Sequence, residues 1–166
     1  MLLGLDHIAI AVPSIEQAVD KLVRDLGLSC SHQEVVAEQK TAVAFFPIQT
    51  THIELVSPTT PDSPIQKFIE KKGGGLHHLC FETDDLAADM LKLKARGYRF
   101  INDIPQVGAH HHQVAWIHPQ SLYGVLVELV QAETGITPAN KDWVIALKEK
   151  CESLCVVLIV DEIQSG

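Results

Sequence analysis

The sequence predicts an α+β fold in which two tandem βαβββ modules, residues 4–58 and 76–131, share one cavity. Three observations support this prediction. Signals for a strand, a helix and three further strands occur twice in the same order. A histidine stands near the start of the first strand of each copy, and a glutamate stands in the last strand of each. We therefore expect the first and last strands of both modules to border the same cavity.

The first module begins with an apolar strand over residues 5–12. Ser14 then caps a helix over residues 15–26, in which apolar residues recur at helical spacing, and Gly27 ends it. Three strands complete the module, at about residues 30–36, 41–47 and 52–56. A linking helix over residues 62–72 begins at Asp62-Ser63-Pro64, because proline is tolerated in the first helical turn.

The second module repeats this order after the glycine run 73–75. An apolar strand is predicted over residues 76–83, and Asp84-Asp85 caps a helix that runs to Arg96 and stops at Gly97. Strands are predicted at residues 98–101, 113–117 and 125–130. The repeat covers a domain of residues 1–131. Residues 132–166 form a C-terminal appendage, for which we predict a helix at about 141–154 and a strand at 156–160.

Composition narrows the class of protein. The chain is 46% hydrophobic and 20% charged, as ordinary globular domains are, and its formal net charge is −8. This acidic balance argues against nucleic acid or an anionic membrane as a partner. Apolar runs fall short of the roughly 18 residues of a membrane span, and no signal peptide is evident. The spacing of the four cysteines does not suggest a disulfide framework, so we expect reduced thiols in a cytoplasmic protein.

Four polar residues at equivalent positions of the repeat are the candidate functional site. His7 aligns with His78, and Glu54 aligns with Glu128, each within an otherwise apolar strand. Burying a carboxylate without a partner costs several kcal/mol, so two equivalent glutamates need a shared explanation. One divalent metal ion held by two imidazoles and two carboxylates supplies it, and zinc, cobalt, nickel and manganese all suit this donor set. The predicted cavity is therefore a shared metal-containing one.

Other histidines compete for this role. A single histidine or glutamate on a strand is usually a hydrogen-bonded or solvent-facing residue, so the argument depends on all four obeying the repeat. His77 adjoins His78, but neighbouring strand residues point to opposite faces and the alignment selects His78. His77 is then expected to face elsewhere. The run His110-His111-His112 cannot converge on one ion from a strand, and we interpret it as a loop or a substrate contact.

Together these residues resemble the methylmalonyl-CoA epimerases of the vicinal oxygen chelate superfamily, whose paired βαβββ modules build one metal site. The resemblance covers about residues 4–131. It depends on separate motifs in order, which are Leu5-Asp6-His7-Ile8 with Ala9-Ile10-Ala11-Val12, Glu34-Val35-Val36 with Glu38-Gln39, Asp62-Ser63-Pro64-Ile65 with Lys67-Phe68, Gly75-Leu76-His77-His78, Ile117-His118-Pro119 with Ser121, and Gly124-Val125-Leu126-Val127-Glu128-Leu129.

The resemblance implies a 1,1-proton transfer on an acyl-CoA substrate through a metal-stabilised enolate. It makes Glu128 both a metal ligand and the candidate catalytic base. Some relatives carry a second glutamate at the position of Val43, so the acid on the opposite face is open, with water or the Glu38–Gln39 region as alternatives. A homodimer is compatible with this interpretation.

Two other functions remain as alternatives. The first is glyoxalase I, a lactoylglutathione lyase that also uses two histidines and two glutamates, or another metal-dependent isomerase or lyase of the same fold. The second is a metal-free small-molecule binding module, although such a module does not explain four polar residues at equivalent positions of the repeat.

The appendage resembles a segment of class III aminotransferases, through Thr137-Pro138-Ala139-Asn140-Lys141 and residues 158–166. In those enzymes the residue at the position of Asp161 pairs with the pyridoxal phosphate ring nitrogen. The chain ends there without a cofactor lysine, so we expect a relic of gene fusion and no aminotransferase activity.

Overall fold

The computed structural model describes residues 1–132 and 141–154, and the chain divides into two units, Met1–Ala132 and Glu133–Gly166. The first unit holds eight strands and three α-helices. Its strands are β1 Leu2–Ala11, β2 His32–Val36, β3 Thr41–Ile48, β4 Thr51–Pro58, β5 Gly75–Thr83, β6 Gln106–Val107, β7 Gln113–Ile117 and β8 Leu126–Gln131. Its helices are α1 Ile15–Leu26, α2 Pro64–Lys72 and α3 Leu86–Ala95.

The eight strands form one mixed sheet in the order β2-β3-β4-β1-β5-β8-β7-β6. Within each module the first strand pairs in parallel with the last, β1 with β4 and β5 with β8. The modules join through the antiparallel pair β1–β5. The four central strands are therefore the first and last strands of both modules, which confirms the predicted α+β architecture of tandem βαβββ modules. It also makes neighbours of the four strands that carry His7, Glu54, His78 and Glu128.

The two faces of the sheet have different partners. On β3, Ala44 and Phe46 belong to the cluster that packs against apolar residues of α1. The alternating residues Val43 and Phe45 lie on the other face, with Val36 and Ile65. In the second module, α3 packs against β7 and β8 in the same way as α1 does on β3 and β4. Helices α1 and α3 therefore cover one face, and the other face is left to border a cavity.

The pairing of β1 with β5 shifts register at three points, one near the start of β1 and two beside His7 and His78. Leu5 pairs with Phe81 and His7 with Cys80, so Asp6 is an extra residue on β1. Likewise Ala9 pairs with His78 and Ile10 with Leu76, so His77 is an extra residue on β5. A β-bulge of this kind leaves the extra residue unpaired and changes the direction of its side chain. The two bulges occupy equivalent positions of the repeat.

The prediction of a strand over residues 98–101 is wrong. Phe100 forms an isolated bridge with Ile117, and the edge strand β6 lies further along the chain. The physical reason is a hydrogen bond from the backbone to the buried side chain of Asn102. The Trp116 backbone N–H donates to Asn102 Oδ1 at 2.8 Å, where a regular strand would offer a backbone carbonyl. Asn102 Nδ2 donates to the Ile104 carbonyl at 2.6 Å. The polar backbone groups of this segment are thus satisfied without a regular ladder.

Helix α4, Lys141–Ser153, confirms the helix predicted near the C-terminus. The predicted strand at 156–160 and the aminotransferase-like residues around 158–166 lie outside the described residues, as does most of 137–141. Cys30, Cys80 and Cys151 are free thiols. In the parts of the chain that the structure describes, no helix is both long and apolar enough to cross a membrane.

Candidate metal centre

Four buried side chains from the four central strands meet at one point. His7 Nε2 lies 3.0 Å from His78 Nε2, and 3.2 Å from both Glu54 Oε2 and Glu128 Oε2. His78 Nε2 lies 3.1 Å from Glu128 Oε2 and 3.6 Å from Glu54 Oε2. Each of the four residues is at most 6% exposed. The structure therefore brings together all four residues that the repeat singled out.

Strand register accounts for this convergence. Ala9, two residues after His7 on the same face, pairs with Glu54 on one side and His78 on the other. Its equivalent in the second module, Cys80, pairs with His7 and Glu128. Ala9 and Cys80 are both fully buried. Small side chains at these two positions leave room for the imidazole and carboxylate groups to meet above the sheet.

The electrostatics of the cluster favour a cation. Burial works against a charged His7, but hydrogen bonds to Asp6, Cys80, Glu128 and Glu54 outweigh it and raise the pKa of His7 far above its ordinary value. Burial alone would raise the pKa of Glu128, yet hydrogen bonds from His7 and His78 hold that pKa below its ordinary value. Two carboxylates buried together favour a positive charge among them, which a proton or a metal ion would supply.

The geometry fits a metal ion as that charge. Donors bonded at about 2.1 Å to one ion lie about 3.0–3.4 Å apart in octahedral or tetrahedral geometry. The five donor pairs that include a histidine nitrogen are separated by 3.0–3.6 Å. His7, Glu54 and His78 form a group with the spacing of a metal site. The donor set and its spacing thus suit one divalent ion, and they do not select among zinc, cobalt, nickel and manganese.

The two bulge residues lie behind the histidines. Asp6 Oδ2 is 2.7 Å from His7 Nδ1, and a carboxylate at this position fixes the ring orientation of a metal-binding histidine. His77 Nδ1 is 2.8 Å from His78 Nδ1. Burial and the neighbouring His78 ring lower the pKa of His77 to about 4, so His77 is neutral near pH 7. The two modules therefore orient equivalent histidines with different groups.

The expectation that His77 faces elsewhere is wrong. Its ring packs edge-on against His78 and Phe68, and it lines the cavity. The strand alternation that we applied holds only for regular pairing, and the bulge at His77 turns adjacent residues towards the same face. The alignment of His78 with His7 is unaffected.

Aromatic rings support both histidines, and neither ring was found from the sequence. Phe45 of β3 pairs with Glu54, and its ring meets His7 edge-on with centroids 6.1 Å apart. In the second module, Trp116 of β7 pairs with Glu128, and its ring meets His78 edge-on at 4.8 Å. Both imidazoles that these rings contact are buried, with His7 6% and His78 3% exposed. Repeat equivalence of an aromatic residue on the third strand was the signal that could have found them.

A cavity of about 450 Å³ opens from the cluster. Apolar residues make much of its wall, including Val43, Val56, Ile65 and Leu126, with the four candidate ligands at its base. Val43, the position at which the family resemblance led us to look for a second acid, lies 3% exposed on this wall. The polar residues that line it from the short turn after β2 are Glu38, Gln39 and Lys40, and from the turn before β7 they are His110 and His112.

Comparison with known proteins places this chain in a family. The model of the glyoxalase/bleomycin resistance protein/dioxygenase superfamily matches residues 6–116. The chain belongs to this superfamily.

Individual relatives of the chain include proteins that are named for one reaction. The chain is 40% identical over 129 residues to human mitochondrial methylmalonyl-CoA epimerase, covering 77% of this chain and 73% of that protein. It is 38% identical over 129 residues to the ethylmalonyl-CoA/methylmalonyl-CoA epimerase of Cereibacter sphaeroides, covering 76% and 96%. An uncharacterised protein of Bacillus subtilis, YqjC, is 44% identical over 127 residues, covering 76% and 91%.

Solved structures agree with these relatives. A point variant of the methylmalonyl-CoA epimerase of Streptomyces coelicolor, in complex with 2-nitronate-propionyl-CoA, superposes with a TM-score of 0.77 and 32% identity. The match covers 80% of this chain and 99% of that one. A methylmalonyl-CoA epimerase in complex with methylmalonyl-CoA superposes with a TM-score of 0.78 and 31% identity, covering 83% and 100%.

A separate short similarity links 42 residues, 25% of this chain, to the acetylornithine/succinyldiaminopimelate aminotransferase of Buchnera aphidicola at 57% identity. It covers 10% of that protein. A similarity over so small a share of the aminotransferase carries no argument for its activity.

Proposed function

We propose that this chain is a metal-dependent isomerase that interconverts the (R) and (S) forms of methylmalonyl-CoA, with one divalent cation held by His7, Glu54, His78 and Glu128. The observation that carries the proposal is the buried cluster of two imidazoles and two carboxylates at the base of the cavity. Relatives at 37–41% identity that are named for this reaction supply the substrate class.

Epimerisation requires removal of a proton from the carbon between a thioester and a carboxylate, and its return to the opposite face. A bound divalent ion supplies a Lewis acid that stabilises negative charge developing on substrate oxygens. Glu128 is assigned as the base. Its carboxylate oxygen Oε2 lies 3.2 Å from His7 Nε2 and 3.1 Å from His78 Nε2, and a carboxylate is the form of the side chain that accepts a proton.

The surroundings of Glu128 assist this role. The Trp116 ring against His78, together with the apolar wall, limits the water that can reach the base of the cavity. Fixed charges act more strongly in such a partly dry site than in bulk water. Asp6 and His77 hold the two imidazoles in place from behind. These residues thus keep the reacting carboxylate and its neighbours in one arrangement through the reaction.

Epimerisation also needs a group that returns a proton to the substrate face opposite Glu128. A glutamate at position 43 could do this, but this chain has valine there. Val43 cannot exchange a proton, and it occupies the cavity wall. The turn Ala37–Gln39 also lines the cavity, and Glu38 is its carboxylate. We propose that Glu38, or a water molecule beside it, returns the proton from this side of the cavity.

Paired assays test the function. Purified protein reconstituted with cobalt or zinc is supplied with methylmalonyl-CoA and, separately, with the hemithioacetal of methylglyoxal and glutathione. We expect epimerisation with kcat/KM about 100-fold or more above the lyase activity, which is about 2.7 kcal/mol or more of transition-state discrimination. Faster turnover of the hemithioacetal would instead identify a glyoxalase. Failure to act on either, with metal bound, would reject both activities.

A further inference from the structure

A second group of metal-ligand residues lies at the rim of the cavity. His32 and Glu34 are two residues apart on the edge strand β2 and therefore share a face. His110 comes from the turn before β7 in the other module. Donor atoms of these three residues all lie within 4.8 Å of one another. In the sequence, His110 stands in a run with His111 and His112, and 76 residues separate it from Glu34.

The contacts within this group are close to those of a metal site. His32 Nε2 lies 3.4 Å from Glu34 Oε1, and His110 Nδ1 lies 4.0 Å from the same oxygen. The two imidazole rings are 4.5 Å apart between centroids and are tilted by 35°. Donors around one tetrahedral ion are about 3.3 Å apart. The His32–Glu34 distance matches this spacing, and the His110–Glu34 distance is the longer of the two.

The backbone holds the rim group in position before any ion binds. Glu34 Oε1 accepts the backbone N–H of His110 at 2.7 Å, which fixes the carboxylate relative to the turn. The turn itself is closed by Gly108 N–H to His112 O at 2.8 Å and by His112 N–H to Ala109 O at 3.0 Å. His110 has φ +52°, a left-handed conformation that a non-glycine residue adopts at an energetic cost. That cost is offset where surrounding contacts determine the conformation.

Phe45 separates this group from the central cluster. Its ring centroid is 4.9 Å from that of His110, 6.4 Å from that of His32 and 6.1 Å from that of His7. The rim residues are exposed or half-buried, whereas the central ligands are buried. The two groups are therefore distinct sites on either side of one aromatic ring.

We propose that His32, Glu34 and His110 form a second site for a divalent transition-metal ion, which ties β2 of one module to the turn of the other at the rim of the cavity. Two imidazoles and one carboxylate suit zinc, nickel, cobalt or copper(II), with water completing the coordination shell. An ion here carries positive charge at the entrance of an otherwise acidic protein, where an anionic substrate passes. The site does not depend on the proposed epimerase activity.

Metal stoichiometry tests the proposal. The full chain is stripped with a chelator and dialysed against buffered Zn²⁺, and bound zinc is measured by elemental analysis. Wild type is expected to hold two ions per chain. His110→Ala and Glu34→Gln are each expected to hold one, with rim affinity weakened about 100-fold or more. His111→Ala, a histidine of the same turn outside the group, is the matched control and retains two.

The central cluster provides an internal reference. His78→Ala is expected to lose the central ion and keep the rim ion, and combining it with His110→Ala removes both. Retention of the central ion in the rim variants also shows that they are folded. A single ion in wild type that His110→Ala retains, or unchanged stoichiometry in His110→Ala and Glu34→Gln, overturns the rim site. Unchanged stoichiometry in His78→Ala bears against the central site instead, so the two failures are distinguishable.

Discussion

Replacing Glu128 with glutamine separates its proposed role as a base from its role as a ligand. Glu128 Oε2 lies 3.2 Å from His7 Nε2 and 3.1 Å from His78 Nε2, and the residue is 5% exposed. Glutamine has nearly the same shape and keeps one oxygen for a metal, but its amide cannot accept a proton from carbon. Loss of a general base costs about 100- to 10,000-fold in rate, or about 2.7–5.5 kcal/mol of activation free energy.

The pseudo-symmetry of the fold provides a matched control. Glu54 occupies the equivalent strand position, is equally buried and lies 3.2 Å from His7, so Glu54→Gln removes the same charge from the same cluster. Both variants are expected to bind metal about 10- to 100-fold more weakly, by analogy with the loss of groups that support a metal ligand. With metal at saturation, Glu54→Gln should keep its rate within about tenfold, whereas Glu128→Gln should not.

Solvent deuterium exchange measures proton abstraction directly. Each variant is incubated with methylmalonyl-CoA in D₂O, exchange at the acidic carbon is followed by proton NMR, and metal content is determined on the same sample. Equal rate losses in the two variants would mean that Glu128 acts only as a ligand. Normal exchange by metal-loaded Glu128→Gln would be a stronger refutation, and the base would then be sought in the turn that contains Glu38.

Three further predictions concern the histidine pair, the metal and the junction between modules. His78→Ala should lose bound metal and activity, whereas His77→Ala should keep metal with affinity reduced about 10- to 100-fold, because His77 supports the ligand from behind; titration with Zn²⁺ distinguishes them, and equal losses would assign both as ligands. Metal removal by chelator should lower the melting temperature, since an ion at about 100 times its Kd stabilises the folded state by about 2.7 kcal/mol; a melting temperature independent of metal in differential scanning calorimetry would contradict this. Gly74→Ala should destabilise the fold by more than about 2 kcal/mol, because a Cβ there meets the Ala11 carbonyl oxygen at 2.8 Å, whereas Gly73→Ala has open space and should cost about 1 kcal/mol; urea denaturation yields both values, and equal costs would show that the close approach is relieved without strain.

The repeat made much of the architecture predictable. Each module carries the same order of period-two and helical patterns, and capping residues such as Ser14 and Gly27 fix helix ends within local sequence. The candidate ligands followed from the same repeat, because a buried histidine or glutamate is costly and recurs only where something requires it. Local chemistry and repetition were therefore sufficient for the fold class and for the grouping of four residues.

The features that could not be predicted from the sequence depend on contacts between segments that are distant in the chain. A bulge is defined by two residues opposite one on a partner strand, so the orientations of Asp6 and His77 are not evident from the segments that contain them. The apolar segment that includes Phe100 has the composition of a strand, but the side chain of Asn102 takes the place of its ladder. The rim group likewise joins Glu34 to His110 across two modules.

Anomalous X-ray diffraction from crystals of the metal-loaded protein tests the central claim most directly. Data collected at the absorption edge of the bound metal locate each ion independently of the protein phases. The account predicts a peak at the base of the cavity, bonded at about 2.0–2.3 Å to His7, Glu54, His78 and Glu128. A metal-loaded crystal with no peak within bonding distance of these four side chains would contradict it.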